Sequence, residues 1–239
     1  MFIPATLDDN PYIDRESYIK SLNYLDPVTR AQLLEGNWDI EKGGGVFERH
    51  WFKQVDDYPA GMRSVRYWDL AATAATRGKD PSYTCGVLMA MDAGVAWVLD
   101  VQRGQWGPAD IEKAIVATAK EDQKLVEDGL LLNVDIWMEE ERGSAGKNLV
   151  NYYSRVLAGH SFRGDYVTGT KVLRAGPHAT SAQNGNVRVL RRFWTRAYLD
   201  ELVGFPELKH KDQVDASSGA FEKVSGSGPI TVRGAKRLG

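Results

Sequence analysis

Apolar and polar positions change their rhythm several times along this chain, and each change marks an element. Residues 64–70 read Ser-Val-Arg-Tyr-Trp-Asp-Leu, an imperfect alternation of the kind shown by a strand buried on both faces, and Asp69 is the only charge after Arg66. Small residues follow it, then a polar turn, Thr76-Arg77-Gly78-Lys79-Asp80-Pro81. Two strand-like runs at 83–91 and 95–102, joined by Asp92-Ala93-Gly94, predict a hairpin. Gly107-Pro108 opens a helix in which Ile111, Ala114, Ile115, Thr118, Ala119 and Leu125 or Val126 keep a 3.6-residue spacing, a length suited to a crossover. A fourth strand is expected at 131–138, ending in Glu139-Glu140-Glu141, with a helix at 145–157 behind it. A fifth strand at 162–167 leads into the basic, Gly-rich segment 169–175, where Pro177 is expected to interrupt any helix. Residues 187–190 read as a short edge strand, and 195–203 and 214–223 as short helices. Strands and helices alternating over 63–224 predict one α/β domain without internal repeats.

The flanks read differently. Residues 1–62 are rich in acids, Pro and Gly, with a turn at Asp8-Asp9-Asn10-Pro11, a short helix from Asp26-Pro27 and a break at Gly43-Gly44-Gly45, so they are expected to form an arm. Phe47, Trp51 and Phe52, just before the first core strand, are expected to pack and not to stack on bases. Residues 225–239 form a tail carrying Arg233, Lys236 and Arg237 and no acid.

Composition narrows the picture little. The 239 residues are 43% hydrophobic, enough for one substantial core, and the net charge of -2 gives no general attraction to nucleic acid, so any DNA affinity has to come from local clusters. The single Cys85, in an apolar run, cannot form an internal disulfide and is expected to be a buried thiol. No apolar stretch approaches membrane-spanning length and the start lacks a signal-peptide pattern, which predicts a soluble, intracellular protein.

The acids carry the candidate chemistry. Asp69 follows a strand, Glu139-Glu140-Glu141 follow another, and Asp212 and Asp215 lie three apart after His210, close to one face if that segment is helical. Hard divalent ions take carboxylate oxygens, and two ions about 4 Å apart serve phosphodiester hydrolysis well. Each acid also has a bland use: Asp69 as a turn cap, the glutamates as a solvated cluster, Asp212 and Asp215 as acids at a helix N-terminus. On a strand, Glu139 and Glu141 face one way and Glu140 the other; Glu139, nearer the apolar run, is the preferred partner of Asp69. Gly143-Ser144-Ala145-Gly146-Lys147 is not an ATP-binding loop, having two residues between its glycines where four are needed and Asn148 after the Lys. It is either a plain turn or a helix N-terminus whose amides, with Arg142 and Lys147, suit a phosphodiester. There is no Gly-x-Ser-x-Gly elbow, and one Cys with four scattered His offers no zinc site.

Arg66-Tyr67-Trp68-Asp69-Leu70-Ala71-Ala72, Glu139-x-Glu141-x-Gly143-Ser144-Ala145-Gly146-Lys147, Gly169-x-Lys171-x-x-Arg174-Ala175 and His210-x-Asp212-x-Val214-Asp215-Ala216, in this order, resemble the C-terminal nuclease domain of the terminase large subunit of tailed bacteriophages and prophages. The resemblance implies an RNase H-like mixed sheet, three antiparallel strands continued by parallel ones and flanked by helices. It implies a two-metal endonuclease using Mg2+ or Mn2+ that cuts concatemeric double-stranded DNA during packaging. Asp69 then corresponds to the acid shared by both ions, Glu139 to the second-strand acid and Asp212 to the acid starting the last helix, with Asp80 and Asp215 as accessory ligands. Arg142, Lys147, Lys171 and Arg174 become DNA contacts. Arg142 stands where the family often has Pro, and Lys211 where a further Asp is common. The family's ATPase motor domain, absent from this sequence, precedes such an arm; its other partners are the portal and the small terminase subunit, in the cytoplasm of the infected or lysogenic host. A resolvase-like nuclease on the same fold, or a non-catalytic DNA- or portal-docking module, are the alternatives.

Overall fold

The computed structural model describes residues 45–71 and 80–226. The expected short helix at Asp26, the turn at 76–79 and most of the basic tail lie outside them. Strand β2 (Met62–Asp69) is buried through most of its length on both faces, and it lies inside a seven-stranded sheet ordered β1-β7-β4-β3-β2-β5-β6. Strands β3 (Thr84–Asp92) and β4 (Val95–Gly104) form the expected hairpin, turning at Ala93 and Gly94, both at positive φ. Strand β3 pairs antiparallel with β2 on one side and with β4 on the other. Strand β5 (Leu131–Glu140) runs parallel to β2 on its other side, and β6 (Ser161–Tyr166) parallel to β5. This is the mixed RNase H-like sheet that the resemblance implies.

Helices cover both faces. Helix α1 (Pro108–Glu127) crosses from β4 to β5, α2 (Ser144–Val156) joins β5 to β6, and α3 (Lys171–Gln183) follows β6. Strand β7 (Val187–Leu190), α4 (Thr195–Gly204) and α5 (Asp212–Ser225) complete the order of elements. Successive residues of β2 serve opposite faces, as strand geometry requires. Val65 and Tyr67 pack with Ala175 and Ala179 of α3 and Val214, Ala216 and Ala220 of α5. Trp68 packs with Ile111 and Ile115 of α1, Tyr153 of α2 and Leu157, which caps the end of α2. Arg66 is fully buried, and its guanidinium meets Asp122 of α1 at 2.6 and 2.8 Å and Asp100 of β4 at 2.8 Å.

Three elements depart from the sequence reading. Helix α3 continues through Pro177. Gly176 before it has no Cβ to clash with the proline ring, and the carbonyl that Pro177 leaves without its usual donor belongs to Leu173, whose side chain is 71% exposed, so water can reach that turn. Strand β7 is interior, not an edge, because β1 (Lys53–Val55) pairs outside it. Residues 45–62, read as the end of an arm, thus supply a strand, and Phe47 and Phe52 enter the core around His178 of α3, with ring centroids 5.3 and 6.1 Å away. His178 is buried with neither ring nitrogen bonded to a described residue, and burial pulls its pKa down to about 3. Cys85 is free and buried, as expected.

Candidate active site

Parallel pairing places the acids. Trp68 of β2 sits opposite Met138 of β5, so the next residue of each strand, Asp69 and Glu139, lies at the same end of the sheet on neighbouring strands, which run about 4.8 Å apart. Strand β5 extends two residues beyond the expected end and carries Glu139 and Glu140 within it. Asp69, Glu139 and Glu141 line one cleft of about 580 Å³, together with the first turns of α1 and α2. Glu140 instead lies over Gly164 of β6, as alternation along a strand predicts.

Helix α5 closes the site from the side. Asp212 and Asp215 occupy its first turn and are both buried, and their three-residue spacing puts them near one face. Asp212 accepts a bond from the Tyr83 amide at 3.0 Å. Burial pushes the Asp69 carboxyl well above the usual carboxylate range, and Glu139, Asp215 and, more weakly, Asp212 push the same way against the ammonium of Lys171. Burial also raises Asp215, opposed by its bond from Lys171. The structure therefore brings Asp69, Glu139, Asp212 and Asp215 into one electrostatic neighbourhood.

Lys171 and Arg174, expected at phosphates, lie on these acids: Lys171 pairs with Asp215, and Arg174 meets Glu139 at 3.1 Å. The Thr170 side chain caps α3 by accepting from the Leu173 amide, which fixes the start of the helix that presents both cations. Among the described residues, no three acid, His or Cys side chains are arranged around one point as ion ligands. Asp80 is placed apart from the cluster, exposed, with Lys209 Nζ at 2.7 Å and His210 Nε2 at 2.8 Å, and these bonds hold its carboxyl well below the usual range. His210 is the link inward, its Nδ1 lying 3.9 Å from Asp212.

The glycines after Glu141 have separate reasons. Gly143 sits at φ 101°, a conformation that side chains disfavour. A Cβ on Gly146 would lie 2.0 Å from the Glu141 carbonyl oxygen, so α2 starts tight against the strand end. No side chain caps this helix N-terminus, and Arg142 and Lys147 are exposed beside it, without an ion pair among the described residues.

One group went unnoticed in the sequence. Asp165 of β6 is buried, accepts from the Tyr67 hydroxyl at 2.7 Å and pairs with Lys223 at 2.5 Å. The Tyr67 ring in turn occupies the space beside Gly219 of α5, where a Cβ would come within 2.3 Å of it. This arrangement ties β2, β6 and α5 together beneath the acids. Its only sequence signal was an acid inside the strand pattern at 162–167.

The mixed seven-stranded sheet, with helices on both faces, defines an RNase H-like domain. Residues 66–223 match the terminase RNase H-like domain family, and the chain belongs to it. The magnesium-bound large terminase nuclease of thermophilic phage G20c superposes with a TM-score of 0.53 at 15% identity, over 76% of this chain and 98% of that one. The terminase nuclease domain of human cytomegalovirus, manganese-soaked and inhibitor-bound, gives 0.54 at 13%, over 75% and 95%. The large terminase of another thermophilic bacteriophage, in complex with ADP, gives 0.53 at 13%, over 93% of this chain and 55% of that one. At such identities the likeness is one of fold. No curated protein sequence matches the chain.

Proposed function

We propose that this chain is the endonuclease domain of a phage DNA-packaging terminase, cutting concatemeric double-stranded DNA by phosphodiester hydrolysis with two divalent ions, Mg2+ or Mn2+. The observation that carries this reading is the parallel register that sets Asp69 beside Glu139, with Asp212 and Asp215 on the helix packed against them. Such a donor set is all oxygen, as hard cations require. The crowding of like charge on Asp69 is what a bound cation relieves. Asp69, Glu139 and Asp212 would hold the ions, with Asp215 as an accessory acid; Asp80, held by Lys209 and His210, is left outside the set. When bound, the ions supply Lewis-acid activation and neutralise charge developing at phosphorus.

The rest of the work falls to the chain itself. Glu141 extends the acidic wall of the cleft. The uncapped amides of α2, with Arg142 and Lys147, hold a phosphate of the substrate strand. Lys171 and Arg174, paired with Asp215 and Glu139 in the fold, would be the contacts to neighbouring phosphates. Such interactions read backbone and shape, so little sequence preference is expected. The ATPase motor domain, portal and small terminase subunit are the implied partners, in the host cytoplasm. Support for the choice of ions comes from the similar folds, one holding magnesium and one soaked with manganese.

The purified chain is expected to convert supercoiled plasmid to nicked and linear forms with Mn2+ or Mg2+, and to stop on chelation. Cleavage that persists in excess chelator would sink the metal-ion mechanism, and a sharp consensus among cut sites would sink the backbone-reading one.

A further inference from the structure

The turn after β7 is held firmly. The Arg191 amide donates to the Val55 carbonyl at 2.8 Å, and the Thr195 hydroxyl donates to the Leu190 carbonyl at 2.5 Å while accepting from the Arg192 amide at 2.8 Å. Trp194 points inward, buried edge-on to Tyr198. This turn leaves Arg191 and Arg192 exposed and Phe193 94% exposed. Arg191, Arg192, Arg49 and Arg196 line a cleft of about 760 Å³ along α4 that contains none of the carboxylates of the active-site cluster. Among the described residues, two acids answer these four guanidiniums: Asp200 for Arg49 and, at 3.9 Å, Arg196, and Asp56 for Arg191 at 2.9 Å. Arg192 Nη1 donates to the Arg191 carbonyl, at 2.8 Å. Positive charge is left in surplus here, on a chain whose net charge is -2.

The cleft also has a direction. Asp200 belongs at once to this cleft and to a neighbouring one of about 340 Å³ lined by Arg103, Lys209 and His210. His210 in turn approaches Asp212. Helix α4, with its ten residues, is about 15 Å long, the rise of roughly four base pairs at 3.4 Å each. One duplex can therefore touch both regions.

We propose that the arginine cleft along α4 is a second binding surface for the phosphates of duplex DNA, remote from the bond that is cut. Guanidinium forks match phosphate oxygens in two-point bonds, and the exposed Phe193 offers its ring to the apolar deoxyribose between them. The proposal rests on the endonuclease reading and extends it to how the duplex is held.

The test is made in an Asp69→Asn background, to keep the DNA intact. Binding of a labelled duplex oligonucleotide is followed by fluorescence anisotropy over a range of salt. Arg192→Ala with Arg196→Ala is expected to weaken binding by about tenfold or more, and to lower the slope of log K against log salt by about 2, one for each phosphate no longer neutralised. Arg192→Lys with Arg196→Lys keeps the charge and should keep the slope, while binding less tightly than the arginines. This pair also decides the matter if the alanine variant melts early. Unchanged affinity and slope in a folded alanine variant overturn the proposal. So does a variant that loses binding to polyglutamate but not to duplex, which assigns the cleft to an acidic protein. If the Asp69→Asn chain binds no duplex at all, the endonuclease reading falls with it; if that chain binds and both arginine variants bind equally well, only this surface does.

Discussion

Two clusters of buried charge lie within a few residues of each other on β2 and are built on opposite plans. At Arg66 one guanidinium is enclosed by Asp122 and Asp100, with bonds of 2.6 to 2.8 Å, and the aspartates hold its pKa above the usual arginine value although burial opposes them. Its requirements are met inside the fold. At Asp69 four carboxylates face two cations, Lys171 and Arg174. Acids outnumber cations two to one in both clusters, but the first is knit by bonds to a single guanidinium, while in the function proposed here the second is completed by ions from outside. Charge buried for structure is closed, whereas charge buried for function is left open towards its ligand.

The largest effect that would break this contrast is on catalysis. Asp69→Asn is expected to lower plasmid cleavage by at least about 10³-fold, roughly 4 kcal/mol at the barrier. Because the folded state holds the Asp69 carboxyl well above its usual range, ionising it near neutral pH opposes folding. The variant should therefore melt higher than the parent in chelator and gain less from Mn2+. A lower melting temperature with an equal response to Mn2+ would make Asp69 a strand-end cap. Next comes Arg66→Met, which strands two aspartates and should cost about 3–5 kcal/mol in urea unfolding whether or not metal is present. Metal-dependent rescue of this variant would erase the distinction between the clusters.

His178 gives a third, smaller test, on a group belonging to neither cluster. Its pKa falls from an ordinary 6.5 to about 3 in the fold, so the unfolded chain binds the extra proton first. Stability is then fully present above pH 6.5 and declines as pH falls from 6.5 towards 3, by about 2 kcal/mol at pH 5. His178→Phe, which suits the surrounding Phe47, Phe52 and Phe221 rings, should flatten this part of the pH profile. A parallel decline in both proteins rules the histidine out as its cause. The smallest effect is at Lys171, whose side chain is about half exposed. Lys171→Met should cost about 0.5–1 kcal/mol in chelator and nothing at saturating Mn2+, where ions replace the missing charge. An equal cost in both conditions would show that Lys171 does not stand in for them.

Much of the architecture was legible because it follows local rules. Burial on both faces marked β2, Asp92-Ala93-Gly94 marked the hairpin, and Gly143 marked the turn off β5. What escaped notice depends on pairing and packing between distant parts of the chain. Val187–Leu190 looks like an edge strand until Lys53–Val55 pairs with it, and nothing local in that three-residue strand announces the pairing. Pro177 argues against a helix by its backbone chemistry alone, yet tertiary packing of Ala175, Ala179 and Ala182 keeps α3 intact. In the site, Asp69 and Glu139 could be named from their positions at strand ends, whereas the choice of Asp212 over Asp215 came from the family resemblance. That Lys171 and Arg174 lie against acids, and that Asp80 turns to Lys209 and His210, depends on side-chain directions that spacing does not encode.

Gly219 has a consequence for how such a site can evolve. The ring of Tyr67 stands where its Cβ would be, and that ring is fixed by its bond to Asp165. The width of the gap between the strand that bears Asp69 and the helix that bears Asp212 is thus gauged by a missing methyl group. Any other residue there acts as a shim, moving the two halves of the acid cluster apart without altering a single acid. Displacements of about 1 Å can lower a rate roughly 10²-fold, so a lineage could retire this nuclease, or restore it, through one position that no substrate touches.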